Sequence, residues 1–293
     1  MCKFTCHFTY QKGFLKLPND NMVKTIGVAL LLCLVCSIIV SSAAVLLKPT
    51  QVANQLIDKK QNILTVAGIS DSSKTVDELF EQIETTVIDL ENGQIAADID
   101  PLTFDQVRAA KESETRVELS NEQDLAKIGG RSKYANVYLV RDGGNVSKII
   151  LPIKGYGLWS TMYGFLALEG DAETVAGITF YDHGETPGLG GEIDNKRWQD
   201  SWNGKKLTGD AGQQLGLIKG IVSENSADAQ YKIDGLAGAT LTSNGVTNLI
   251  RFWTGINGFG PYLDRVRSNG TAANSSIRQT GFASITNQPS NRD

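Results

Sequence analysis

The chain has 293 residues, of which 41% are apolar and 20% charged, and a net charge of −4. That length can bury one or two ordinary cores, and the acidic balance excludes a protein that works by neutralising nucleic-acid phosphates. Four cysteines are too few for a disulfide scaffold.

The first 24 residues carry four Lys and one Asp and read as a basic cytoplasmic leader without periodicity, with Met22 a second possible start. Residues 25–47, TIGVALLLCLVCSIIVSSAAVLL, contain no charge and are bounded by Lys24 and Lys48. At a helical rise of 1.5 Å they span roughly 34 Å, enough to cross a hydrocarbon core of about 30 Å. A cleaved signal peptide is the competing reading, because Ser41, Ser42, Ala43 and Ala44 are small. Such peptides, however, carry an apolar run of only about 7–15 residues. We therefore expect an uncleaved transmembrane anchor in contact with lipid. The leader bears +3, which leaves −7 for residues 48–293, so the positive-inside rule puts the N-terminus in the cytoplasm and the main domain outside. Cys2 and Cys6 fall in the leader and Cys33 and Cys36 in the span, so the exported part has neither disulfides nor thiolate metal sites.

Residues 50–95 have near-helical apolar spacing through Leu56, Ile63, Leu79, Ile83 and Val87, and 48–130 reads as a helical stalk and the N-terminal part of the exported domain. A short helix is expected near Val107 to Glu112, with Pro101 ahead of it. Strands begin at Asn136. Val137 to Val140 and Val146 to Ile153 flank the turn Asp142-Gly143-Gly144-Asn145. Phe165 to Leu168 and Thr174 to Tyr181 form a second hairpin around Gly170. A short helix follows over Asp194 to Trp202, then short strands at Leu217 to Lys219 and Tyr231 to Ile233. Thr242 to Trp253 is an amphipathic helix. Residues 268–293 are polar and aperiodic and read as a disordered tail. The class is α+β: one N-terminal transmembrane helix, then an exported domain with a mixed or antiparallel sheet.

His183 is the one imidazole beyond the leader, which rules out Cys–His pairs and multi-His metal sites there. With Glu185 nearby it reads as a hydrogen-bonded structural residue. Three glycine-bearing segments remain: Gly155 to Ser160, His183 to Glu192, and Asp234 to Gly245. In the last, Gly235 and Gly238 allow close backbone approach, and the following helix N-terminus favours an anion. A glycine turn followed by a capped helix explains the same residues equally well.

The segment DGLAGATLTSNGV resembles the flavinylation motif of the FMN-binding domain family, in which a Thr hydroxyl is joined to FMN through a phosphoester by a flavin transferase. The segments GYGLWSTMYGFLAL, GETPGLGGE and RFWTGINGFGPYL, with the apolar N-terminal run, are similar to the C-subunit family of Na+-translocating NADH:quinone reductases. The likeness spans roughly residues 22–267 in order. It implies an exported FMN-binding domain over 131–267. It also implies a redox role in a six-subunit inner-membrane complex that oxidises NADH, reduces ubiquinone and exports Na+.

The resemblance makes Thr240 the covalent FMN site, with Thr242 its competitor. Ala237 departs from the Ser or Thr usual in the motif, which removes a neighbouring hydroxyl but not the acceptor. It further implies that Glu185 and Thr186 meet the flavin ring edge and that Leu189 packs on its face. Gly188 and Gly190 would allow close approach, and Trp159 and Leu158 would form walls. Lys219 would sit near ring or phosphate, unless it is a strand-end surface lysine. Asp234, Gly235, Gly238 and Ala239 belong to the motif itself. The rival readings are the G subunit of the related Rnf complex and a cofactor-free anchored binding module.

Overall fold

The computed structural model describes residues 22–269, so the expectations for the leader before residue 22 and the tail from residue 270 fall outside the described residues. The chain divides into two compact units between Leu56 and Ile57. Helix α1 (Met22–Ala67) runs through the division. In the first unit it exposes an unbroken apolar surface that includes Leu30, Ile38, Val45 and Leu46, with Cys33 and Cys36 as free, exposed thiols. Among the described residues it is the one helix long and apolar enough to cross a membrane.

In the second unit, α2 (Val76–Phe80) opens with a capping box, Thr75 and Glu78 each accepting from the other's backbone N–H. Strand β1 (Ile83–Asp89) and helix α3 (Gln106–Ala109) follow. Strands β2 (Arg116–Glu118) and β3 (Gly130–Ser132) pair with each other. Then come β4 (Tyr134–Asp142), β5 (Asn145–Tyr156), β6 (Thr161–Glu169) and β7 (Val175–Asp182). With β1 these make a five-stranded antiparallel sheet in the order β1-β4-β5-β6-β7. Helix α4 (Lys196–Asp200), the parallel pair β8 (Gly216–Leu217) and β9 (Lys232–Ile233), and helices α5 (Thr240–Thr254) and α6 (Gly260–Asn269) complete the chain.

Both expected hairpins are present. Gly143 and Gly144, at φ 56° and 89°, supply the left-handed pair that a two-residue hairpin turn requires. Residues 83–89, by contrast, form a strand and not part of a helical stalk. The spacing of Ile83 and Val87 suits a helix, but the run is rich in β-branched residues and pairs with β4 from Ile83 opposite Val140 to Asp89 opposite Tyr134. These residues therefore lie in the same sheet as the strands after 131.

Side chains alternate across this sheet with a period of two. Ile149, Leu151 and Ile153 of β5 face a core shared with Val246, Leu249, Ile250 and Trp253 of α5. Ile150, with Phe165 and Ala167 of β6, packs on the other face against Ile63, Leu64, Val66 and Ala67, the last turns of α1. Helix α6, which no sequence signal singled out, adds Tyr262 and Leu263 to the first core. Its Arg267 donates to the carbonyl of Ala172, a residue at φ 56° in the β6–β7 turn.

That turn carries a pH-dependent element. Partial burial works to raise the Asp171 pKa, but hydrogen bonds from the Thr174 hydroxyl (2.5 Å) and the amides of Thr174 (2.8 Å) and Glu173 (2.9 Å) outweigh it, aided by nearby Lys206. The carboxyl is held below its ordinary value, so its stabilisation is complete above 3.8 and is lost as pH falls through the folded value. The gap in melting temperature between wild type and Asp171→Asn should be full at about pH 6 and narrow progressively as pH falls below 3.8.

Candidate functional site

The three glycine-bearing segments come together where α5 starts. The start is set by close packing: a Cβ at Gly245 would lie 2.7 Å from the carbonyl oxygen of Tyr156, so only glycine lets α5 rest against the end of β5. The Trp253 indole fastens the far end of the helix by donating to the Lys154 carbonyl at 2.6 Å.

Glu185 stands at the centre and is 5% exposed. Its Oε1 accepts from the backbone N–H groups of Leu158 (2.9 Å) and Trp159 (3.0 Å), and its Oε2 accepts from the Thr242 hydroxyl (2.5 Å). Both carboxylate oxygens are thus engaged within the protein. His183 Nδ1 accepts from the Glu185 amide at 3.1 Å, which leaves Nε2–H to donate to Asp194 at 2.8 Å. That is the structural role expected for this histidine. The Gly184 amide donates to the Ser160 hydroxyl at 2.6 Å, a second tie between the same two segments that sequence reasoning did not identify.

The motif segment is equally well fastened. The Asp234 carboxylate accepts from the Val222 amide at 2.7 Å, its carbonyl accepts from the Trp198 indole at 3.0 Å, and the Gly235 amide donates to Gly220 at 2.9 Å. Asp234 and Gly235 are therefore stapled to the strip that carries Lys219, whose side chain is exposed. Gly238, at φ 71°, makes the left-handed step into the helix and lies beside Leu189. Ala239 is buried and occupies the N-cap position of α5, and no side chain caps the first turn of this fifteen-residue helix. The first amides of a helix have no partners within it, so this end is a positive, donor-rich terminus.

The two threonines are sharply distinguished: Thr240 is exposed, whereas Thr242 is wholly buried and committed to Glu185. Two residues apart on a helix they point to opposite sides. Around the terminus Leu158, Trp159, Leu189 and Leu241 remain 38%, 64%, 44% and 59% exposed. Leu241 was not among the expected residues, although an apolar side chain between two threonines at a helix start is a visible signal. Thr186 is exposed, and its carbonyl accepts from the amides of Leu189 and Gly191. Among the described residues no cluster of three or more His, Cys, Asp or Glu is placed to hold a metal ion.

An uncapped helix terminus with an exposed hydroxyl and apolar walls beside it suits a ligand that combines a phosphate with a flat apolar ring. A family profile described as the FMN-binding domain matches residues 157–255, a stretch that contains the second and third segments and the first from Gly157 onward. The second unit of the chain thus contains an FMN-binding domain. The chain is 49% identical to the C-subunit of the Na+-translocating NADH-quinone reductase of Pseudomonas aeruginosa, covering 85% of this chain and 97% of that one. It is 48% identical to the same subunit of Yersinia pestis, over 85% and 94%. Among solved structures, it resembles Shewanella oneidensis NqrC with a TM-score of 0.65 at 33% identity, covering 71% of this chain and 96% of that one. The chain belongs to the C-subunit family of the Na+-translocating NADH-quinone reductases.

Gly190 offers a direct check of the packing at this site. A Cβ there would lie 2.5 Å from Thr242 Oγ1 and 2.7 Å from Glu185 Oε2, two buried atoms bonded to each other. Gly190→Ala should lower stability by about 1–3 kcal/mol, read as a drop in the thermal unfolding midpoint of the purified chain.

Proposed function

We propose that this chain carries FMN on Thr240 and relays electrons between redox centres of the Na+-translocating NADH:quinone reductase. In this reading the complex couples NADH oxidation and ubiquinone reduction to Na+ export, and the other five subunits are its partners. When bound, FMN supplies the one- and two-electron chemistry that amino-acid side chains lack. The observation that carries the assignment is the contrast between the exposed Thr240 hydroxyl on an uncapped helix terminus and the buried Thr242 hydroxyl two residues on. An exposed hydroxyl is open to a flavin transferase, and the terminal amides of α5 favour the phosphate of the resulting ester.

The remaining residues divide by what they can reach. Leu158, Trp159 and Leu189 wall the ring, and exposed Thr186 provides hydrogen-bonding groups at its edge. Lys219 gives the strip beside Asp234 and Gly235 a positive charge that favours the anionic, reduced flavin. The charge division between leader and main domain supports a cytoplasmic N-terminus and a periplasmic domain on a single-pass inner-membrane anchor, with α1 in lipid over residues 25–47. Residues 48–130 then lead into the FMN-binding region at 131–267. The relatives' names favour the C-subunit over the Rnf G subunit.

Coexpression with a flavin transferase should give a band that fluoresces under ultraviolet light on a denaturing gel, and Thr240→Ala should abolish it. Fragment-ion mapping of the peptide holding both threonines should place an FMN-sized addition on Thr240. An addition on Thr242 would move the ester.

A further inference from the structure

We infer that Glu185 is a positioning residue that clamps the Trp159 wall to the helix bearing the flavin acceptor, and not a direct ligand of the ring. The inference rests on the reading of Thr240 as the acceptor. Its basis is the distribution of three hydrogen bonds to one buried carboxylate. Two come from consecutive amides of the β5–β6 turn, Leu158 and Trp159, and the third comes from Thr242 in the first turn of α5. These donors belong to segments over 80 residues apart in sequence. One side chain therefore sets the spacing between them.

The carboxylate is itself held. The amide of Glu185 donates to His183, whose other ring nitrogen is tied to Asp194 at the end of the 190–194 turn. Gly157 and Gly190 carry no Cβ, and one at either position would collide with the Glu185 carboxyl. The space around the group is thus shaped to admit this side chain in this pose. Because Thr242 points inward while Thr240 points outward, fixing the Thr242 hydroxyl fixes the rotation of the first turn of α5. The direction in which Thr240 presents its own hydroxyl is fixed with it. An apolar residue at 185 would take the shared acceptor from the Leu158 and Trp159 amides, and one at 242 would leave the buried Oε2 without its donor, a costly change.

The test is a double-mutant cycle on the full-length chain coexpressed with a flavin transferase. Three quantities are followed: the fraction covalently loaded, the visible circular dichroism of the attached flavin, and the thermal unfolding midpoint. Glu185→Ala should lower loading about tenfold and change the flavin dichroism, as expected for loss of charge-assisted buried hydrogen bonds. Thr242→Val, which removes only the hydroxyl, should shift the dichroism in the same sense, and Thr242→Ser should recover it. The double variant should be no worse than Glu185→Ala alone, because both substitutions break one clamp. Additive effects, or a Thr242→Val protein with wild-type loading and dichroism, would overturn the clamp and leave Glu185 a ring ligand or a bystander. Should Glu185→Ala fail to fold, the Val and Ser variants at 242 decide alone. Failure of the underlying acceptor reading shows separately, as a wild-type chain without covalent flavin or with its addition on Thr242.

Discussion

Helix α5 lies so near strand β5 that a Cβ on Gly155 would sit 2.8 Å from the Cβ of Leu249, and the arrangement of the site follows from that approach. With the helix axis pinned to the sheet by Gly155, Gly245 and the Trp253 indole, its N-terminus must emerge at the end of β5. The turn that leaves β5 therefore meets the first turn of α5. The 183–192 segment, which follows strand β7, closes the third side. Three loops distant in sequence are collected at one point because glycines on both elements let α5 approach the end of β5 closely.

How far this was legible in the sequence depended on whether a signal was local. The β4–β5 and β6–β7 hairpins could be read because turn residues and alternation sit within a few positions of each other. The amphipathic stripe of α5 was readable for the same reason. Strand β1 was not, because Ile83 and Val87 fit a helix as well as a strand, and only the pairing with β4, distant in the chain, decides between them. Helix α6 was missed although Phe259, Tyr262, Leu263 and Val266 fall at helical spacing, because the run is short and opens on Gly260 and Pro261, which read as a turn.

The site shows the same division. Motif resemblance pointed to Thr240, Gly190 and Glu185, yet it could not say what the Glu185 carboxylate touches. Read along the chain, an acidic residue in a glycine-rich loop beside a cofactor motif looks like a ligand. In the fold it is buried, and its partners are the protein's own amides and hydroxyl. Asp234 is a similar case, since its carboxylate is occupied by the Val222 amide. Polar residues in such a motif build the site before anything binds to it.

That construction bears on why a tether would suit this protein. Ligand pockets that hold a cofactor by contact alone enclose most of its surface. Here the walls around the α5 terminus stay open, with Trp159 and Leu241 more than half exposed. Two clefts, of about 260 and 290 Å³, lie among residues 65–68, 148, 176–179 and 196–203, and among 99–115 and 134, and share none of the site's side chains. A flavin on an open face is close to whatever redox centre docks against it, but contact alone would hold it poorly. Openness serves electron exchange and retention opposes it, and the proposed ester on Thr240 would remove the conflict by making retention independent of burial. The clamp at Glu185 then has a definite task. With the ligand held at one atom, the direction of that atom decides where the ring lies, and the rotation of the first turn of α5 sets that direction.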